Sequence, residues 1–233
     1  MAGVAHVSHR QYHPIPGVVF PMLNLNFTGL RSVLCLGAHA DDIEIGCGGA
    51  LLRLLSQHPQ LEVQWVIFSG HQGRVAEARA SAARYLQGHT HQVTVHAFRD
   101  SFFPYQAEAI KEVFHGLSRA CQPDVIFTHR RDDAHQDHRV LAELTWCAFR
   151  NHVVLEYEIP KYEGDLGNPN VYFSLDRELA ERKVRWLYEA FPTQTEKPWF
   201  TEDTFWALLR LRGLEANSPG LYAEGFYARK LVF

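Results

Sequence analysis

The order of elements in this chain predicts an α/β fold, a Rossmann-like, mostly parallel sheet with helices on both faces. Three observations carry that prediction. Short, nearly continuous apolar runs recur along the first half of the chain. Each is followed by a helical stretch before the next begins, the pattern of strands buried on both faces and joined by crossover helices. The residues best suited to chemistry stand just after the runs, where parallel strands end and ligands bind.

Residues 1–30 are interrupted by Pro14, Pro16, Gly17 and Pro21 and are expected to form an arm over the domain or a neighbouring subunit. His6, His9 and His13 within it are expected to be solvated. Residues 31–233 read as a single domain. Its first strand is Ser32–Leu36, followed by a helix over about Gly48–Ser56 that His58-Pro59 ends. Strand Val63–Ser69 leads to an Ala-rich helix from Val75 to Gln87, and strand Gln92–Phe98 to a helix over Ala107–Ala120. Ile110, Val113, Phe114 and Leu117 share one face of that helix. Pro123 breaks it, and strand Asp124–Thr128 follows. Beyond lie a helix at Val140–Phe149, a strand at Val153–Glu158, a loop at Pro160–Asn170, helices at Glu178–Ala190 and Thr201–Leu214, and a β-like end at Gly225–Phe233. Right-handed crossovers would bring the turns at His39–Asp42, His71–Arg74, Asp100–Phe103 and His129–His138 to one rim.

Lys and Arg number 23 against 26 Asp and Glu, a net charge of −3, and no long basic run appears, which argues against a nucleic-acid or membrane-surface role. No apolar run reaches the length of a membrane span. The first residues carry His6, His9 and Arg10 without the apolar stretch of a secretory leader, so a cytoplasmic protein is expected. Cys35, Cys47, Cys121 and Cys147 form no CxxC pair and are expected to be reduced, three of them in apolar surroundings. Self-association into a homo-oligomer is compatible with the arm and the many aromatic residues.

The chemistry concentrates in two clusters. In His39-Ala40-Asp41-Asp42, the spacing of three lets His39 and Asp42 face one point from a turn. A fourth strand beside the first would bring His138 of His135-Gln136-Asp137-His138 to the same point. Two nitrogens and one carboxylate leave a fourth tetrahedral position for water, the composition of a catalytic zinc site. Asp41 would then be a general base, and His135 would stabilise an oxyanion or protonate a leaving amine. Asp137 would hold the far nitrogen of a histidine. Plainer readings stand beside these. Asp41 or Asp42 can cap a helix, and His135 and His138 can be a surface pair. Asp132 and Asp133 read as solvated loop acids. Gly46-Cys47-Gly48-Gly49 lacks the third glycine of a dinucleotide fingerprint, and Asp41, Asp42 and Glu44 would repel a pyrophosphate. Those glycines are expected to let a helix approach the sheet closely.

These residues resemble the PIG-L/LmbE-type zinc-dependent N-deacetylases of N-acetylglucosamine compounds. The first family motif, His-Pro-Asp-Asp-Glu before Gly-Cys-Gly-Gly, stands here as His39-Ala40-Asp41-Asp42-Ile43 and Gly46–Gly49; the second stands as His135-Gln136-Asp137-His138 after the Pro123-Asp124 strand. Ala40 replaces the usual Pro and Ile43 the usual acid. Weaker similarity extends over about residues 31–228. The resemblance implies an LmbE-like fold and hydrolysis of the N-acetyl group of an amino-sugar small molecule or glycoconjugate. It also implies Zn2+ held by His39, Asp42 and His138, Asp41 as base, and His135 as electrostatic catalyst. Arg74, Asp100 and His71 would contact the sugar. An amidase acting on a sugar–thiol conjugate, and a non-catalytic metal-binding protein of the same fold, are the alternatives.

Overall fold

A computed structural model of the protein describes residues 25–232, so the expected arm, with His6, His9 and His13, lies almost wholly outside the described residues. Within them, seven strands form one sheet: β1 (Ser32–Gly37), β2 (Glu62–Ile67), β3 (His91–Val95), β4 (Val125–His129), β5 (Val153–Tyr157), β6 (Val171–Leu175) and β7 (Tyr222–Tyr227). Six α-helices accompany it: α1 (Asp42–Gln57), α2 (Gln72–Tyr85), α3 (Ala107–Ala120), α4 (Gln136–Ala148), α5 (Arg177–Ala190) and α6 (Glu202–Glu215). The strand order is β3-β2-β1-β4-β5-β7-β6. The first five are parallel, and β7 pairs antiparallel with both β5 and β6. None of the described helices is long and apolar enough to cross a membrane.

Alternation along β1 builds both layers. Val33 and Cys35 join the core under α1 and α5, while Leu34 and Leu36 join the core under α3 and α4. With both faces buried, β1 and β4 are apolar along residues 33–36 and 125–127, which is why their runs are readable in the sequence.

Three expectations are corrected. Helix α1 begins at Asp42 rather than Gly48, so the glycines lie inside it. Glycine is a poor helix former, yet here packing demands it. A Cβ on Gly46 would sit 2.2 Å from the Tyr157 ring, and one on Gly49 2.5 Å from Leu175. The close approach also lets two buried side chains reach the α1 backbone. Glu224 accepts the N–H of Gly49 at 2.8 Å and of Ala50 at 2.6 Å, and Lys183, paired with Glu224, donates to the Ile45 carbonyl at 2.7 Å. Second, α4 starts at Gln136 instead of Val140, which places His138 in its first turn. Third, β6 was not anticipated; it is a short edge strand whose partner, β7, arrives from the far end of the chain. All four cysteines are free thiols; Cys35 and Cys47 are buried, Cys121 is half-buried and Cys147 is exposed.

Candidate metal centre and active site

Both clusters lie at the carboxyl ends of β1 and β4, adjacent strands in the middle of the sheet. The chain runs outward from β1 through β2 and β3, then returns to β4 on the other side. The crevice at such a reversal is where open α/β sheets bind ligands.

The turn after β1 closes on itself. Asp42 Oδ2 accepts the His39 N–H at 2.6 Å, and the Asp41 carbonyl accepts the Ile45 N–H at 3.0 Å. Asp41 occupies the N-cap position of α1 but makes no side-chain cap bond. Its Oδ1 instead accepts from Arg74 Nη2 at 2.7 Å. The Arg74 guanidinium also lies 5.6 Å from the Phe191 ring.

His39 Nδ1 stands 3.4 Å from Asp42 Oδ2 and 3.2 Å from His138 Nε2, and His138 Nε2 stands 3.7 Å from Asp42 Oδ1. Three side chains from two distant segments thus converge on one point. The far nitrogens face carboxylates: His138 Nδ1 lies 3.1 Å from Asp133 Oδ2, and His39 Nε2 lies 3.2 Å from Asp100 Oδ1 and 3.4 Å from Asp137 Oδ2. A carboxylate at the far nitrogen fixes the tautomer and turns the near lone pair inward, as in histidines that hold metals. This donor set fits a divalent transition-metal ion with an open position.

The electrostatics agree. Burial, helped by neighbouring His129, lowers His138 to about 3, so its ring is neutral with a free lone pair. Burial opposes a charge on His39, yet Asp42, Asp100 and Asp137 outweigh it and raise His39 well above its ordinary value. Burial likewise opposes ionisation of Asp42, but His138, His129 and His39 hold its carboxyl well below the usual range. The point where these groups meet calls for positive charge. Asp41 moves the other way, raised by burial against the pull of Arg74. His135 is lowered by burial and by His39.

His135 is the N-cap residue of α4, and its Nδ1 accepts the Asp137 N–H at 3.3 Å. Its ring centroid lies 4.9 Å from that of His39. Asp137 is fully buried and, besides facing His39, accepts the N–H of Ser101 at 2.6 Å and of Phe103 at 3.1 Å. It therefore ties the Asp100 loop to the second cluster. Ser101 takes a φ of 66° to allow this, a strained value for a residue with a Cβ. His71 is exposed, and no hydrogen bond or ion pair joins it to the cluster among the described residues.

Two groups escaped the sequence reading. Asp133, expected in solvent, is 3% exposed and backs His138, whereas Asp132 is exposed as anticipated. His129, at the end of β4, is fully buried, lies 3.1 Å from Asp42 Oδ2 and stacks on His138 with centroids 3.9 Å apart. Three further groups of side chains also lie close enough to share an ion: His39, His135 and His138; Asp42, His129 and His138; and His39, Asp100 and Asp137. The signal for His129 was its place at the carboxyl end of a central strand; nothing in the sequence separates Asp133 from Asp132.

Comparisons with known proteins bear on the same region. Residues 34–149, from β1 to the end of α4, match the family model described as PIG-L, GlcNAc-PI de-N-acetylase. The uncharacterized deacetylase YaiS of Escherichia coli (strain K12) is 30% identical over 143 residues, covering 56% of this chain and 75% of YaiS. An N,N'-diacetylchitobiose deacetylase from Pyrococcus horikoshii superposes with a TM-score of 0.65 at 22% identity, over 86% of this chain and 84% of that one. GalB, the 4-carboxy-2-hydroxymuconate hydratase of Pseudomonas putida KT2440, superposes with a TM-score of 0.60 at 18% identity, over 88% and 98%. At these identities the likeness to the solved structures is one of fold, and fold alone does not fix a reaction. The family model spans both histidine clusters and YaiS is matched over three quarters of its length, so this chain belongs to the PIG-L (GlcNAc-PI de-N-acetylase) family of deacetylases.

Proposed function

We propose that the protein is a zinc-dependent N-deacetylase that hydrolyses the N-acetyl group of an amino-sugar compound. The observation that carries this reading is the meeting of His39 Nδ1, His138 Nε2 and the Asp42 carboxylate beside Asp41, with carboxylates behind both imidazoles. His39, Asp42 and His138 would hold the metal, which when bound polarises a carbonyl and lowers the pKa of water toward neutrality.

The remaining roles follow from hydrogen bonds. Arg74 occupies Asp41 Oδ1, leaving Oδ2 to take a proton from the attacking water. Because His135 Nδ1 accepts the Asp137 N–H, the imidazole carries its proton on Nε2. That N–H can be donated to the developing oxyanion, and the proton that Asp41 has taken from the water is the one passed on to the departing amine. Buried Arg74 Nη1 has no partner among the described residues, which leaves a donor for a sugar hydroxyl. Asp100, half-exposed beside His39, supplies an acceptor at the same mouth. Of the aromatic residues near the rim, Tyr105 and Tyr162 are 81% and 74% exposed and free to stack on a sugar, whereas Phe103 and Tyr157 are fully buried.

The test is amine release from a panel of N-acetyl amino sugars by the zinc-loaded protein and its Asp41→Asn variant. Loss of the base should lower turnover by roughly 10²–10⁴-fold with zinc still bound. Equal turnover by the two proteins would remove Asp41 from this role. Adding a sugar–thiol conjugate to the panel separates deacetylase from amidase, and an inert protein across the panel would favour a non-catalytic metal-binding role.

A further inference from the structure

The second cluster depends on one carboxylate. Asp133 Oδ1 accepts the backbone N–H of His135 at 2.8 Å, and Oδ2 lies 3.1 Å from His138 Nδ1. Among the described residues, Asp133 is the only hydrogen-bond partner of that nitrogen. The same Oδ2 accepts from Lys161 Nζ at 3.0 Å. Lys161 belongs to the loop after β5 and also bonds Asp165 Oδ1 at 2.7 Å, while Asp165 Oδ2 accepts the Ala134 N–H at 2.6 Å. The loops that follow β4 and β5 are thus laced together around Asp133.

We propose that Asp133, pinned from the β5 loop by Lys161, is the positioning residue of this site, fixing with one carboxylate both the peptide that carries His135 and the ring of His138. The inference rests on the metal-dependent reading above. Asp133 touches no reacting atom; it acts through two residues that do. An acceptor at His138 Nδ1 keeps the proton there and leaves the Nε2 lone pair facing His39 and Asp42. An amide in place of the carboxylate can still accept the His135 N–H, but it turns N–H groups toward His138. The imidazole proton then moves to Nε2, where it blocks the lone pair. The change is nearly isosteric, so the fold should persist.

Two measurements test this. The first is zinc affinity, by competition with a chromogenic chelator, for the wild type, Asp133→Asn and Lys161→Met. Asp133→Asn should bind zinc about 10–100-fold more weakly, and Lys161→Met more weakly than wild type by a smaller factor. The second is the tautomer of His138 in zinc-free protein, read from its imidazole ¹⁵N shifts. The proton should sit on Nδ1 in the wild type and on Nε2 in Asp133→Asn. A merely structural loop staple would move neither reading in folded protein. Wild-type zinc affinity in Asp133→Asn, with the tautomer unchanged, would overturn the proposal, and an unchanged Lys161→Met would remove the lysine from it. If the wild type itself takes up no zinc, the metal-dependent reading fails, and the tautomer measurement still decides whether Asp133 sets the His138 ring. Should Asp133→Asn not fold, Lys161→Met, altering a largely buried side chain of the β5 loop, carries the test, and an unchanged zinc affinity and His138 tautomer there would then overturn the proposal.

Discussion

The two histidine clusters meet at one point but are built in opposite ways. The first is closed by its own turn: Asp42 binds the His39 N–H three residues back, and Ile45 returns to the Asp41 carbonyl. Distant side chains also reach it, Arg74 at Asp41, Asp100 and Asp137 at His39, and His129 at Asp42, while Glu224 and Lys183 hold the α1 backbone between Ile45 and Ala50. The second cluster is held at the functional residues themselves by Asp133, and through it by Lys161 and Asp165. Hence damage to the Glu224–Lys183 anchor of α1 should be felt as lost stability, and damage to the Asp133 anchor of the second cluster as lost ligand geometry.

The largest effect on stability should come from Lys183→Met. It strips the partner from buried Glu224 and the donor from the Ile45 carbonyl, and breaking such a pair costs about 3–5 kcal/mol. The folded fraction should keep its zinc affinity, the reverse of the pattern expected for Asp133→Asn. Weakened zinc binding with unchanged thermal stability would break the comparison at its first arm.

A smaller, pH-dependent effect should come from Glu44, which is fully buried, with neither carboxyl oxygen hydrogen-bonded among the described residues. Burial pushes its carboxyl from the ordinary 4.5 up to about 8. The folded state therefore holds this proton more tightly than the unfolded chain. The stability that proton confers is complete below about pH 4.5 and is lost as pH rises toward 8. Glu44→Gln removes that dependence. The melting temperature of the wild type should fall relative to the variant between those pH values, by an amount equivalent to a few kcal/mol, and run parallel to it outside them. A constant gap across the whole range would show that Glu44 does not titrate in this window.

What could be read from the sequence follows the same division. The first cluster was legible because its chemistry lies within one local stretch, His39–Asp42, between an apolar strand and a helix. The central strands β1, β4 and β5 were legible because burial on both faces leaves them mostly apolar. Strand β6 was not, since Val171–Leu175 is an edge strand defined by pairing with β7. The close approach allowed by the glycines was legible, and Gly46 and Gly49 admit Tyr157, Leu175 and Glu224; the start of α1 at Asp42 was not, because Gly46 and Gly48 lower the helix propensity of that stretch. Asp133 was hidden beside Asp132, because its inward partners include Lys161, 28 residues further on, besides His135 and His138.

The most direct test of the central claim is elemental metal analysis of the purified protein beside its Asp42→Ala variant. The donor set of His39, Asp42 and His138 predicts about one zinc per chain, lost in the variant. A wild type that neither contains nor takes up zinc, or a variant that retains it fully, would contradict the assignment.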